Sequence, residues 1–176
     1  MAFFGERVVK MATVDDLQNA FAGESKANRR YLAFAKKAEA EGYPEVAKLF
    51  RAAAEAETVH AHAHLRAMGG IRSTRENLEE AIKGESLEFK QMYPEYVEQA
   101  RQEDAKAALV PFQNAMAVEQ VHCSLYIEAL NAVQAGKDAS AQKIFVCGVC
   151  GNAVLDGPPE KCPVCGAPKG KFNEIQ

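Results

Sequence analysis

Four of the five cysteines in this chain have the spacing of ligands to a single metal ion. They form two Cys-x-x-Cys pairs, Cys147 with Cys150 and Cys162 with Cys165. Each pair makes a tight turn that points two sulfurs at one ion, so the four thiolates predict a closed tetrahedral site. Iron and zinc both accept four thiolates, and the spacing does not choose between them. The fifth cysteine, Cys123, is interpreted as a small buried core residue.

Glutamates and histidines earlier in the chain form a second candidate site. Two Glu-x-x-His tetrads, Glu57–His60 and Glu119–His122, each follow a lone glutamate by the length of a helical hairpin. Residues three apart share a helix face, so each tetrad can direct a carboxylate and an imidazole at one metal. The lone glutamates are interpreted as Glu24 and Glu88, which gives offsets of 64, 62 and 62 residues between the halves. This near-repeat predicts a four-helix bundle that holds two iron or manganese ions.

The neighbours of these six residues indicate that they point inward. Taken singly, each glutamate or histidine is more typical of a solvated helix face. Phe21 and Ala27 flank Glu24, however, and Val118 lies beside Glu119. Four carboxylates would balance two divalent ions, and without metal they would repel one another and several would hold protons. The full set therefore favours a metal site over a charged surface.

Apolar residues at helical spacing predict four long helices before residue 136. A capping-box pattern over Thr13–Asp16 predicts where the first helix begins. Gly84 predicts a break between a short helix and the third long one. The fourth helix is expected to follow a cap at Asp104, with either a kink at Pro111 or a true start beyond it.

Composition and charge narrow the function classes. The net charge of −3 gives no reason to expect a nucleic-acid partner. No apolar run approaches the roughly 20 residues that span a bilayer, so no membrane partner is expected. The first residues lack a signal-peptide pattern, and the paired cysteines fit reduced thiols, so we expect a cytoplasmic protein.

A shift in composition also predicts the domains. Alanine, glutamate and lysine dominate the first three quarters, whereas glycine, proline and cysteine crowd the end. A small cysteine domain cannot bury much apolar surface, so its metal must supply folding free energy. The predicted division is an extension over 1–12, an all-α di-metal domain over 13–136, a linker over 137–142 and a cysteine domain of short strands and knuckles over 143–176.

Together these motifs resemble the rubrerythrin family over residues 13–176. The resemblance implies a ferritin-like four-helix bundle followed by a rubredoxin-like domain. It implies reduction of hydrogen peroxide to water at a di-iron site, with electrons from an external reductase arriving through the rubredoxin-like iron. Beyond the two tetrads, the carriers are Phe21-Ala-Gly-Glu24-Ser with Tyr31, Gly84-Glu-x-x-Glu88 leading to Met92-Tyr-Pro94, and Cys162-Pro-Val-Cys165-Gly.

The resemblance also implies roles for single residues. Tyr31 and Tyr93 match family tyrosines near the di-iron site, where they could contact peroxide or supply protons; ordinary core tyrosines are the alternative. Zinc could replace iron at the four cysteines. The implied ligands are Glu24, Glu57, His60, Glu88, Glu119 and His122 for the di-iron site, and Cys147, Cys150, Cys162 and Cys165 for the mononuclear site.

The family is usually a homodimer in which one subunit's cysteine iron lies near the other subunit's di-iron site. The linker over 137–142 spans at most roughly 20 Å when extended. Glu119 lies about 20 Å or more back along its helix from Gly136. We therefore expect a homodimer or higher oligomer in which the cysteine domain serves a neighbouring subunit.

One residue departs from the family pattern. Rubrerythrins typically carry a glutamate three residues after the one aligned with Glu88, and this chain has Gln91 there. In the family that extra carboxylate exchanges with the histidine aligned with His60 as the redox state changes. Gln91 therefore predicts a fixed His60, unless Glu85 or Glu95 takes the missing place.

Two other functions use parts of the same pattern. A ferroxidase or iron-handling protein would use the bundle with oxygen as oxidant, but it would not need an electron-delivery domain. A non-enzymatic scaffold with a zinc ribbon would explain the cysteines, but not the inward glutamates and histidines. An oxidised iron–thiolate site is red and a zinc site is colourless, so a visible spectrum separates the two metals.

Overall fold

The computed structural model describes residues 3–139 and 143–176, with the side chains of 13–139 and 143–176. The chain divides into two compact units that meet in the sequence between Arg72 and Ser73. The first unit is a helical hairpin, and the second contains another hairpin and the cysteine domain. The predicted fold class, four long helical segments followed by short strands, is confirmed. No helix in the described part of the chain is long and apolar enough to span a membrane.

Helices α1 (Phe3–Ala40) and α2 (Pro44–Ala67) form the first hairpin. The buried positions in it are mostly alanines, among them Ala35, Ala47 and Ala54, so the two backbones can approach closely. The connection turns at Gly42, whose φ of +83° is easily reached only by a residue without a side chain. This geometry fixes the faces of α1 and α2 that meet.

Helix α1 begins earlier than the capping pattern predicts. We expected a start at Thr13, but the helix runs from Phe3. Residues 3–12 contain no proline, so no missing N–H stops the helix before Thr13. The predicted extension over 1–12 is therefore helical from Phe3, and residues 1–2 lie outside the described part.

The second hairpin contains one irregular helical segment and one continuous helix. The segment comprises α3 (Thr74–Leu87), a π-helix (Glu88–Met92) and α4 (Tyr93–Gln102). Ser73 and Glu76 form the capping box that starts α3. The break predicted at Gly84 is wrong, because a single glycine only lowers helix propensity by about 1 kcal/mol. The irregularity lies instead at the π-helix, where the Tyr93 N–H donates to the Glu88 carbonyl five residues back.

Helix α5 (Lys106–Gln134) returns along this segment. The predicted later start beyond Pro111 is wrong, since the helix begins at Lys106 and includes the proline. Asp104 does not cap it; the N-cap is Ala105, without a side-chain hydrogen bond. Asp104 instead makes the turn with a φ of +51°, which aspartate tolerates better than most residues.

A three-stranded antiparallel sheet organises the cysteine domain. Its order is β2 (Ala153–Leu155), β1 (Ile144–Cys147) and β3 (Phe172–Ile175). Buried Cys147 and Cys162 form its centre, and Phe172 packs against them as predicted. Within the described residues of this domain, the core therefore consists largely of the cysteine site.

Candidate metal centres

The four paired cysteines converge with the spacing of a tetrahedral site. The Sγ atoms of Cys147 and Cys165 are 3.7 Å apart, and those of Cys150 and Cys162 are 3.6 Å apart. Metal–sulfur bonds of about 2.3 Å in a tetrahedron would separate the sulfurs by about 3.8 Å. A disulfide would need about 2.05 Å. The cysteines are therefore arranged for one ion and not for disulfides.

Backbone amides in the knuckles favour thiolate at one cysteine. Burial raises the pKa of Cys147, but N–H groups of Cys150 and Val149 outweigh it and bring the pKa to about 7. Burial raises the pKa of Cys150 and of Cys165. Without a cation these two thiols would hold their protons, so four thiolates require a bound metal.

The first hairpin places Glu24, Glu57 and His60 together, with ligand atoms within 4.8 Å of one another. The His60 Nδ1 lies 3.3 Å from the Glu57 Oε2. A hydrogen bond between the two carboxyls raises the pKa of Glu24 and lowers that of Glu57, so they share a proton. His60 remains 55 % exposed. Three of the predicted ligands are thus brought together in this unit.

The second hairpin places Glu85, Glu119 and His122 together under the same distance limit. The His122 Nδ1 lies 2.8 Å from the Glu119 Oε2 and 3.9 Å from the Glu85 Oε1. The Glu85 Oε2 is buried and has no hydrogen-bond partner among the described residues. A buried carboxylate oxygen without a donor is costly, and a metal ion would satisfy it.

This second cluster contains Glu85 where we expected Glu88. Glu88 is close by, because burial and then the charge of Glu119 raise its pKa, but it lies outside the group of converging ligand atoms. Sequence analysis had considered Glu85 only as a substitute for a missing ligand. The signal for Glu85 is its offset from Glu24, which is 61 residues against 62 for the other two ligand pairs.

Aromatic residues extend this repeat and locate an inserted residue. Tyr31, Phe34 and Phe50 in the first hairpin correspond, 62 residues on, to Tyr93, Tyr96 and Phe112. The ring separations match closely, at 6.4, 6.2 and 5.6 Å in the first trio and 6.1, 6.3 and 5.5 Å in the second.

The offset changes from 61 to 62 between Glu85 and Tyr93, so the second hairpin has one extra residue there. The π-helix over Glu88–Met92 lies in this interval, and a π-turn is how a helix absorbs one extra residue. Glu88 therefore stands at an irregularity that the first hairpin lacks between Glu24 and Tyr31. The insertion explains why counting back from the tetrads placed the lone glutamate wrongly.

The donor set fits iron. Two carboxylates and one imidazole per cluster suit a divalent transition metal, and two such clusters match the donor pattern of di-iron carboxylate proteins. Burial, followed by a hydrogen bond and the charge of Glu119, raises the pKa of Glu85 to about 7. Without metal this carboxyl holds a proton near neutral pH, which a cation would displace.

The raised pKa of Glu85 predicts an inverted pH dependence of stability in the metal-free protein. The folded state binds more protons than the unfolded state between pH 4.5 and about 7, so stability falls as pH rises through this window. Thermal unfolding of the helices at about pH 5 and about pH 8 measures the difference. Glu85→Gln should flatten it, whereas Glu95→Gln, at an exposed position on the same helical segment, should not. An equal slope in Glu85→Gln and wild type would contradict the assignment.

The two tyrosines differ in their surroundings. Burial, followed by the charges of Glu119 and Glu88, raises the pKa of Tyr93, so its ring lies beside the second cluster. Tyr31 packs with Phe34 and Phe50. Tyr93 is therefore the better placed of the two for a role at bound oxygen.

The cysteine domain lies against helix α5 of its own chain. A Cβ built on Gly151 would be 3.8 Å from the Cγ1 of Val118, the residue before Glu119. We expected a linker too short for this, because we counted only residues 137–142. Residues 137–147 extended at about 3.3 Å per residue cover about 36 Å, and Val118 is about 27 Å along the helix from Gly136. Strand β1 supplies the missing reach.

Comparison with known proteins decides the family. The rubrerythrin family model matches residues 15–130, and the model for the rubredoxin-like domain of rubrerythrins matches residues 145–173. The chain belongs to the rubrerythrin family. The family binds iron at a di-iron site and at four cysteines, so iron is the cofactor that both kinds of cluster call for.

Relatives cover nearly the whole chain. Rubrerythrin-2 of Clostridium acetobutylicum is 38 % identical over 91 % of this chain and 95 % of its own length. Nigerythrin of Nitratidesulfovibrio vulgaris is 33 % identical over 92 % of this chain and 85 % of its own. The solved structure of fully reduced, all-ferrous nigerythrin covers 93 % of this chain and 86 % of its own, with 32 % identity and a TM-score of 0.56. Both domains are thus present in the relatives.

Proposed function

We propose that this rubrerythrin-family protein is a peroxidase that reduces hydrogen peroxide to water at a di-iron site. Each peroxide needs two electrons and two protons, and we propose that an external reductase supplies the electrons through the four-cysteine iron. The observation that carries the proposal is the pairing of two Glu/Glu/His clusters with a four-thiolate site in one chain. A single-electron thiolate centre beside an oxygen- and nitrogen-coordinated pair suits stepwise re-reduction.

The di-iron ligands in this proposal are assigned with one change from the sequence analysis. Glu85 takes the place first given to Glu88. The glutamate that the family carries three residues after that ligand is then Glu88 itself, and Gln91 no longer marks a departure. The fixed-histidine hypothesis is withdrawn, and we propose that Glu88 is the carboxylate that exchanges with His60. The proposed ligands are Glu24, Glu57, His60, Glu85, Glu119 and His122, with Glu88 as the exchanging carboxylate.

The chain's own residues would bind and orient the peroxide. Bound iron supplies electrons and polarises the peroxide oxygens. Tyr93 keeps its proton at neutral pH because its pKa is raised, so its hydroxyl can donate a hydrogen bond to a bound oxygen. Glu85, with a pKa of about 7 before metal binds, belongs to an environment poor in compensating donors. Tyr31 is proposed for the corresponding position by its place in the repeat.

Ferroxidase activity with oxygen remains the second candidate, because the same clusters could bind and oxidise ferrous iron. The four-cysteine domain favours the peroxidase, since a ferroxidase needs no electron supply. A scaffold with a zinc ribbon is the weaker alternative, because the buried and unpartnered Glu85 oxygen has no purpose in it. We propose a reducing compartment such as the cytoplasm, which four free thiolates require, and a homodimer as in the family.

Stopped-flow mixing of the fully reduced protein with peroxide or with oxygen, separately, tests the proposal. We expect peroxide to reoxidise the bundle iron faster than oxygen at equal concentration, with the red thiolate spectrum returning afterwards. Faster reoxidation by oxygen, with iron accumulating as ferric product, would establish the ferroxidase instead. Zinc at the cysteines would leave the protein colourless and remove the electron-delivery step.

A further inference from the structure

The face of helix α5 that carries a metal cluster is also the face on which the cysteine domain lies. Gly151 belongs to the first cysteine knuckle, and its α-carbon carries no side chain that would hold it away from Val118. Val118 is 2 % exposed and immediately precedes Glu119. The knuckle therefore contacts the helix next to a proposed iron ligand.

A second set of contacts extends this interface along the helix. Strand β2 packs against α5. A cavity of about 460 Å³ lies between the helix and the sheet. His122, Tyr126 and Ala129 line it from α5, and Ile144, Ala153 and Leu155 line it from the sheet. His122, a member of the second cluster, thus faces a cavity that the cysteine domain helps to enclose.

We propose that this docking is the working arrangement and that electrons pass in cis, from the four-cysteine site to the cluster on α5 of the same chain. The inference rests on the proposed function for the electrons themselves, but the docking stands on geometry alone. It differs from the arrangement that the family resemblance implies, in which the cysteine iron serves the neighbouring subunit. Gly151 and Val118 act as positioning residues, since they hold the domain in place and touch neither peroxide nor iron.

Photo-crosslinking tests the docking without any dependence on iron or turnover. A benzophenone amino acid is introduced in the full-length protein as Tyr126→p-benzoylphenylalanine, and the protein is irradiated and analysed by denaturing gel and peptide mass spectrometry. We expect an adduct with the peptide containing Ile144–Leu155 at the mass of one chain. The same adduct at the mass of two chains, or no adduct with that peptide, would overturn the proposal. Leu49→p-benzoylphenylalanine, at an exposed site on α2, is the control and should not label that peptide.

Mixed oligomers test the functional consequence. One chain carries Cys147→Ser and Cys150→Ser, and the other carries Glu119→Ala. If electrons pass in cis, verified hetero-oligomers turn over peroxide no faster than the two variants measured separately, because neither chain pairs an intact cysteine site with an intact α5 cluster. Restored turnover would overturn the cis route. Absence of turnover in the wild type would instead count against the proposed function.

Discussion

Replacing Glu85 with alanine is expected to strip iron from the second hairpin and to lower peroxide turnover by at least about 100-fold, since loss of even an outer-sphere partner costs about 10–100-fold. Glu85 lies within the cluster of ligand atoms and contributes the buried Oε2 that has no other partner among the described residues. Iron analysis and the turnover rate measure the effect. The visible spectrum of the cysteine site should be unchanged, because that site has its own four ligands.

Two further substitutions on the same helical segment make this a test of assignment. Glu88→Ala should retain the iron and lower turnover by about tenfold, as expected for a carboxylate that binds in one redox state only. Glu95→Ala, at an exposed position outside the cluster, should change neither. Loss of iron in Glu88→Ala with retention in Glu85→Ala would restore the first interpretation, in which Glu88 is the ligand.

Replacing Cys150 with serine is expected to abolish the red colour, unfold the cysteine domain and stop reductase-driven turnover. Cys147 and Cys162 form the buried centre of this domain, so without metal little else stabilises it. Structural metals in small domains contribute about 10–16 kcal/mol to folding. Bundle iron should remain, because none of its proposed ligands lies in residues 143–176.

Cys123→Ala is the matched control. Cys123 is buried on α5, where its sulfur lies 3.3 Å from the hydroxyl oxygen of Ser86, and it belongs to neither metal cluster. This variant should keep both the colour and the turnover, at some cost in thermal stability. Simultaneous loss of both iron centres in Cys150→Ser would contradict the separation of the two sites.

Local spacing explains which ligands could be predicted from the sequence. The cysteine pairs and the Glu-x-x-His tetrads are determined by three-residue spacings, and the structure brings each of these sets together. Glu24 was also identified, because its helix is regular up to Tyr31. Glu85 was missed because the π-helix at Glu88–Met92 adds a residue that no single motif reveals, and only the two aromatic trios show the shift.

The long-range features were harder to predict for a different reason. The start of α1 at Phe3 and the continuous helix through Gly84 show that one capping or breaking residue does not outweigh its neighbours. Docking of the cysteine domain on α5 depends on Gly151 meeting Val118, two residues 33 positions apart. Such a contact follows from the direction of β1, which the linker length alone does not specify.

The central claim is that the two Glu/His clusters hold an iron pair that peroxide oxidises, and that the cysteine iron then re-reduces. Mössbauer spectra of the ⁵⁷Fe-loaded, fully reduced protein, frozen before and shortly after an equimolar addition of peroxide, test it most directly. We predict that the oxygen- and nitrogen-coordinated ferrous signal converts to ferric while the thiolate iron is still ferrous. Oxidation of the thiolate iron first, or the absence of any oxygen- and nitrogen-coordinated iron, would contradict the account.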